Sequence, residues 1–380
     1  MQKSYVYIDP QSYQNLAIYD HSLLSHIDGD IHYVCSKLYN YKTLPSNVRQ
    51  HRLFSYSKYQ HKPIKAISYI FSCLMLAIRL LWWRPSIIHI QWFRIPAFDS
   101  RFYILLKKIL GCRIVFTAHN IVPHDTGRRY YPYFDSFYRQ IDAIIVHTEA
   151  TKQELLASFN LPENKVAVIE HGLLNIQYDP QLLEKQKAEF DNHYQLKGKM
   201  VFSALGYQYE YKGVDTLVQV WASTPELCQN SQCKLLLIGK NRGVDLSAAS
   251  NICNVMIEDR IASDEEFFYL LSNTDVYLLP YKQISQSGAL LTVINTDTPV
   301  LVTNIGGLTD PFKIASIGWQ MPQLSEEALR NQLLWLLKHP EEIKKIKENK
   351  EDWNKLRKYY SWERIGLLTQ QLYDNVLQYE

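Results

Sequence analysis

Residues 200–223 read Met200-Val-Phe-Ser-Ala-Leu-Gly206-Tyr-Gln-Tyr-Glu-Tyr-Lys212-Gly213-Val-Asp-Thr-Leu-Val-Gln-Val-Trp-Ala-Ser223. A short apolar run ends at a glycine, a tyrosine-rich loop follows, and Val214, Leu217, Val218 and Trp221 then recur at helical spacing. That is a strand, Met200–Leu205, feeding a helix, Val214–Ser223. The unit repeats downstream, with strands at Lys234–Ile238, Val255–Glu258, Val276–Pro280 and Val300–Thr303. Helices at Asp264–Ser272 and Gly288–Thr296 alternate with them. Ser263 with Glu266 has the spacing of a capping box.

Upstream the same alternation predicts strands at Ser4–Ile8, Ile31–Cys35, Ile87–Gln91, Arg113–Ala118, Ala143–His147 and Val166–Glu170. Helices are expected at Tyr103–Leu110 and Thr151–Phe159. Residues 36–62 show no clear period and read as a long aromatic-rich connection. Two such series imply an α/β fold with parallel sheets wrapped in helices. At 380 residues the chain exceeds one ordinary core, which also argues for two domains. The expected division is a first domain over 1–180, a helical or irregular bridge, a second domain over 197–360, and a final helix from Ser361.

Composition narrows the function classes. The apolar fraction of 47% and charged fraction of 21% are those of a globular protein. The 27 tyrosines carry polar tips on apolar bodies, which suits sugar surfaces and wet interfaces as well as cores. Residues 1–180 hold 20 Lys+Arg against 13 Asp+Glu, a net +7, whereas the remaining 21 against 25 give −4. The sharpest stretch, Arg49 to Arg113, has 12 basic residues and one acid, Asp99. No nucleic-acid motif accompanies it, so an anionic membrane surface or a phosphate-bearing acceptor is the expected partner of residues 49–113.

Within that stretch, the uncharged core of Ile64–Trp83 runs from Ala66 to Ile78, shorter than the roughly 20 residues of a spanning helix. It reads either as a helix in a membrane interface or as one packed on its own sheet. Cys35, Cys73, Cys112, Cys228, Cys233 and Cys253 form no CxxC pair and no zinc spacing. Met1-Gln-Lys-Ser leads straight into a strand-like run, so a cytoplasmic chain without a secretory leader is expected. Asp28-Gly-Asp30 reads as a turn rather than a metal site.

In parallel α/β sheets, ligands gather at the carboxyl ends of strands. Three loops there carry suitable chemistry. Gly206 lets a ligand approach the backbone, and Lys212-Gly213 adds a cation at a helix start, which suits a diphosphate. Gln286-Ser287-Gly288-Ala289 opens another helix, whose first amides favour an anion. Thr117-Ala-His119-Asn120 puts an imidazole at a strand end, with Asp125 in the same loop.

Taken with Val168-Ile-Glu-His-Gly172, Thr298-Pro-Val300 and Ser361-Trp362, these residues resemble glycosyltransferase family 4, the "group 1" glycosyltransferases, in order and spacing over nearly the whole chain. The resemblance implies a GT-B fold: two Rossmann-like domains facing across a cleft, with the last helix, 361–380, crossing back to the first. It implies transfer of a sugar from a nucleotide-diphosphate sugar, without a metal or other cofactor, to an acceptor such as a glycan or lipid-linked precursor. Gly206, Lys212, Gly213, Glu258, Gln286, Ser287, Gly288 and Ala289 would bind the donor. Asn15, Tyr19 and Trp92 would bind the acceptor, and His119 and Asp125 are the catalytic candidates.

Two departures stand out. The family's arginine between Gly206 and Lys212 is absent, and Ile284 and Thr292 occupy the positions of its paired glutamates. Retention or inversion of the sugar is therefore open. A sugar-nucleotide epimerase and a non-catalytic nucleotide-binding subunit are the alternatives on this architecture.

Overall fold

A computed structural model describes residues 3–13, 16–41, 43–122 and 129–378. The chain divides into two compact units: Met1–Gly172 with Tyr360–Glu380, and Leu173–Tyr359.

The first unit is built on seven strands: β1 (Ser4–Asp9), β2 (Asp30–Ser36), β3 (Val48–Phe54), β4 (Ile87–Ile90), β5 (Arg113–Thr117), β6 (Ala143–Val146) and β7 (Val166–Val168). All pair in parallel, in the order β3-β2-β1-β4-β5-β6-β7. Helices α1 (Leu16–Leu24), α2 (Lys62–Trp83), α3 (Pro96–Leu110), α4 (Tyr131–Gln140) and α5 (Glu149–Phe159) connect them. β1, β4, β5 and β6 are buried almost throughout, as parallel strands covered on both faces must be.

The second unit opens with α6 (Pro180–Tyr194) and a six-stranded sheet: β8 (Met200–Ser203), β9 (Cys233–Ile238), β10 (Val255–Glu258), β11 (Val276–Leu279), β12 (Val300–Thr303) and β13 (Gly318–Met321). Its strands are also all parallel, in the order β10-β9-β8-β11-β12-β13. Around it lie α7 (Val214–Ser223), α8 (Pro225–Cys228), α9 (Asp264–Ser272), α10 (Gly288–Val293), α11 (Glu326–Lys338), α12 (Pro340–Glu348) and α13 (Lys350–Tyr359). The capping box at Ser263 and Glu266 forms with both reciprocal bonds.

The last helix, α14 (Trp362–Gln378), returns to the first unit. Tyr373 donates or accepts at His89 Nδ1, 2.5 Å away, and Lys3 pairs with Asp374. Gly366 lies so close to His26 that a Cβ there would stand 2.2 Å from its carbonyl oxygen.

Two expectations are corrected, and one strand had not been expected. Residues 36–62 are not a plain connection, because Val48–Phe54 forms β3 on the sheet edge. The strand β13 joins the other sheet's edge and carries no strong apolar run. Residues 180–194 are not a bridge but part of the second unit. Pro180 occupies the first turn of α6, the Asp179 side chain caps it, and Tyr194 and Asp191 bond Glu266 and Tyr269 of α9. The first unit accordingly ends at Gly172.

Candidate functional site

Each sheet reverses its strand order once, between β1 and β4 in the first unit and between β8 and β11 in the second. A crevice opens at the carboxyl ends of strands at such a reversal. In the second unit, the loops leaving β8 and β11 are the ones that carry Lys212 and Ser287.

Lys212 closes a tight turn, Glu210–Lys212, and Gly213 follows it with φ 67°. A Cβ on Gly213 would stand 2.0 Å from the Pro280 carbonyl oxygen, so only glycine lets this turn press against the end of β11. The contact is fastened by the Lys282 amide, which donates to the Tyr211 carbonyl at 2.7 Å. Lys212 Nζ then lies 5.9 Å from the centre of the Tyr281 ring. Ser287 lies near enough to the Tyr281 phenol to offset part of the rise that burial gives its pKa, and it caps α10 by accepting from the Leu290 amide. Lys212 and Ser287 therefore share one aromatic neighbour.

Lys212 is half-buried, and burial lowers its pKa to about 8. Among the described residues it has no carboxylate partner, while the neighbouring Lys282 pairs with Asp215 at 2.6 Å. An ammonium group out of water and without a counter-ion is costly, and an anion beside it relieves that cost. The amides of Gly288 and Ala289, in the first turn of α10, have no carbonyl to bond within the helix. Gln286 is half-buried beside them.

The loop after β9 adds groups that the sequence does not single out. A Cβ on Gly239 would lie 1.7 Å from the Gly206 carbonyl oxygen, so this position too requires glycine for close approach. Gln208 bridges to Asn241, and the Arg242 amide donates to the Gln208 carbonyl. That places the Arg242 guanidinium 5.1 Å over the Tyr207 ring. Tyr207, Tyr209, Tyr211 and Tyr281 then form a row of adjoining rings from Arg242 to Lys212.

Glu258 ends the edge strand β10, with its carboxylate committed to His193 at 2.6 Å and Arg260 at 2.5 Å.

The first unit gathers imidazoles. His119 follows β5, His147 follows β6 and His171 follows β7, while His89 stands on β4. His119 is stacked on Trp92, 4.5 Å between ring centres, and has Tyr19 edge-on at 5.1 Å. Tyr19, expected at an acceptor, is 4% exposed and packs against His119, His147, His171 and Trp362. Burial pushes His89 and His171 down to about 3 and His147 to about 4, and it holds His119 well below the usual imidazole value. The cluster is neutral at physiological pH. Asn15 and Asp125 lie outside the described residues.

Hydrogen-bond counting fixes how that neutrality is arranged. His147 Nδ1 lies 2.9 Å from the Ile169 carbonyl oxygen, His147 Nε2 lies 3.1 Å from His119 Nδ1, and Gln91 Oε1 lies 2.9 Å from His119 Nε2. Two neutral imidazoles bring two N–H groups to these three bonds. If the Gln91 oxygen faces His119, the pair is one proton short. Turning the Gln91 amide over, so that Nε2 faces His119 in place of Oε1, matches every bond: Gln91 donates to His119, His119 to His147, and His147 to Ile169. With the amide so turned the other end is matched too: Tyr373 can donate to His89, His89 to Thr117, and Thr117 to the Gln91 oxygen, which then takes the place of Nε2 beside Thr117 and His89.

Comparison with known proteins agrees with this architecture. Residues 30–173 match the model of Glycosyltransferase Family 4, and residues 199–339 match that of Glycosyl transferases group 1. An uncharacterized glycosyltransferase of Methanocaldococcus jannaschii is 24% identical over 187 residues, which is 47% of this chain and 47% of that protein. The chain thus spans about half the length of the curated relative it matches.

Among solved structures, sucrose-phosphate synthase from Thermosynechococcus elongatus superposes with a TM-score of 0.72 at 16% identity, covering 100% of both chains. HepE from Anabaena in complex with UDP and glucose gives 0.70 at 9% identity, covering 98% of this chain and 100% of that one. A trehalose-6-phosphate protein from E. coli bound with UDP-2-fluoro glucose gives 0.68 at 12%, covering 100% and 99%. Identities this low establish the fold. With the two family models matching in turn along the two units, the chain is a glycosyltransferase with the GT-B fold.

Proposed function

We propose that the protein transfers a sugar from a nucleotide-diphosphate sugar to a glycan or lipid-linked precursor, working on the inner face of the cytoplasmic membrane. The observation that carries the donor half is Lys212, a half-buried ammonium at the β8/β11 crevice with no counter-ion among the described residues. Leaving-group departure puts charge on the diphosphate, and a cation already held in place stabilises that charge without reorganising. Lys212 and the first amides of α10 would meet it, with no metal required. The solved relatives whose names include UDP or a UDP-sugar support a nucleotide donor.

The tyrosine row from Tyr207 to Tyr281 offers flat faces beside the same lysine, and Arg242 supplies a cation from the next loop in a region where the family's arginine is absent. The first unit would take the acceptor. Its neutral imidazoles and the Trp92 face suit hydroxyl-rich, uncharged surfaces. An imidazole held far below neutrality is a weak base, so the released phosphate oxygen or Asp125 is the better acceptor for the attacking hydroxyl's proton.

A thermal-shift panel of UDP, GDP, dTDP and their sugars tests the donor half, because a ligand bound to the folded state raises its melting temperature. At least one nucleotide should stabilise the wild type and not Lys212→Ala. Equal shifts in both proteins would remove Lys212 from the site.

A further inference from the structure

Helix α2 is apolar on both sides, and only one side is covered. Tyr69, Ser72, Cys73, Leu76 and Leu80 are buried against the sheet. Ile67, Phe71, Leu74, Ile78 and Trp82 recur along the opposite face, with Ile67 69% and Trp82 86% exposed. Beside them on α3, Leu105 and Ile109 are both 57% exposed. Scattered apolar side chains on a surface are ordinary, but a continuous stripe along a 22-residue helix marks a contact.

Charge identifies what it contacts. α2 contains no Asp or Glu. The one acid of α3, Asp99, is buried, accepting from the Tyr69 hydroxyl at 2.9 Å and from the Arg94 and Ile95 amides. The exposed charges on and beside the two helices are therefore all positive: Lys62 before the stripe, with Lys65 half-buried next to it, Arg84 just past it, and Arg101 and Lys108 on α3. A twofold contact between copies would set these cations against their own kind, with no carboxylate to offset them. A bilayer with anionic headgroups offers acyl chains to the stripe and phosphates to its rim.

We propose that the outer face of α2 and α3 lies on an anionic lipid bilayer, with α2 flat in the interface over roughly 33 Å of its length. The helix does not span. Its inner face is committed to the core, and withdrawing Tyr69 would leave Asp99 without that donor. The proposal does not depend on Lys212 or on the identity of the donor.

Flotation of the full chain with vesicles of phosphatidylglycerol and phosphatidylcholine, against phosphatidylcholine alone, tests it. The chain should float with the anionic vesicles and dissociate as salt is raised. Phe71→Asp with Trp82→Asp should weaken binding by about tenfold or more, and Lys62→Glu with Arg84→Glu should abolish the preference for anionic lipid. These side chains are exposed, so unchanged melting curves verify that the variants fold. Any of three results overturns the proposal: undiminished flotation of Phe71→Asp with Trp82→Asp, equal affinity for both vesicles, or a dimer in sedimentation velocity that Phe71→Asp dissolves.

Discussion

After β8 the chain half-buries a lysine that has no carboxylate partner among the described residues. After β5 it half-buries a histidine and engages both ring nitrogens. The two regions occupy comparable places, at the carboxyl ends of parallel strands, and are opposite in electrostatic design. The lysine keeps an unmet demand for negative charge, which is the property of a site that waits for an anion. The histidine cluster meets its own hydrogen bonds and stays neutral, which suits a surface that orders hydroxyl groups. A glycosyltransferase needs one of each, because its donor is a charged diphosphate and its sugars are not.

The sharpest way to break the comparison is to remove the lysine's charge. Lys212→Ala should lower transfer by roughly 10²–10³, the scale of losing one preorganised donor to a developing oxyanion. The ligand-free protein should respond in the opposite direction. The folded-state pKa of about 8 lies below the usual lysine value of 10.5. The unfolded chain therefore binds this proton more tightly, and the cost of the buried charge is complete below pH 8. Lys212→Met should raise stability at neutral pH by about 1–3 kcal/mol. A variant both less stable and fully active would refute the assignment.

The same lysine sets a pH limit. Below about pH 8 it is protonated in the free protein, and diphosphate affinity should be level. Above that value binding must take up a proton, so affinity should fall by up to about tenfold per pH unit until the bound-state pKa is reached. Calorimetry with UDP in buffers of different ionisation enthalpy reads the proton uptake directly. Flat affinity from pH 7 to 10 would mean that Lys212 is not the group that meets the phosphate.

His119→Ala comes next, with transfer expected to fall by about 10², the low end of what a positioned side chain contributes. Donor hydrolysis and transfer should be measured together. Loss of transfer with hydrolysis retained places His119 with the acceptor, and unchanged values for both exclude it.

Much of this was legible in the sequence, and the exceptions have physical causes. The central strands announce themselves because both faces are covered and nearly every position is apolar, His89 and Lys234 being the exceptions in β4 and β9. β3, Val-Arg-Gln-His-Arg-Leu-Phe, and β13, Gly-Trp-Gln-Met, are edge strands with one side open, so polar residues interrupt them and the pattern fades. For α6 the local signal was present, since Asp179-Pro180 is an N-cap followed by proline, but the contacts with α9 that assign it to the second unit are made by residues far along the chain.

At the site, Lys212 and Ser287 could be found because each sits just past its own strand. Arg242 and Gly239 could not, because their relevance comes from how two neighbouring loops pack. His147 could have been found by the rule that located His119, since it too directly follows a strand.

The finest contrast is protonic. If the neutral network is as counted, nitrogen NMR should show both His119 and His147 protonated at Nδ1 and bare at Nε2, and neither should titrate between pH 5 and 8. Gln91→Glu then replaces the side-chain amide 2.9 Å from His119 Nε2 with a carboxylate. The new charge favours an imidazolium, so the His119 pKa should rise by about 1–3 units while the fold is kept. His147 and His119 would then hold three protons between them instead of two, and the cluster would acquire the charge that the second unit's lysine already has. Should wild-type His119 prove to carry its proton on Nε2, the Gln91 oxygen faces it after all. The pair would then need an extra proton even at neutral pH, and the description of this surface as uncharged would fail.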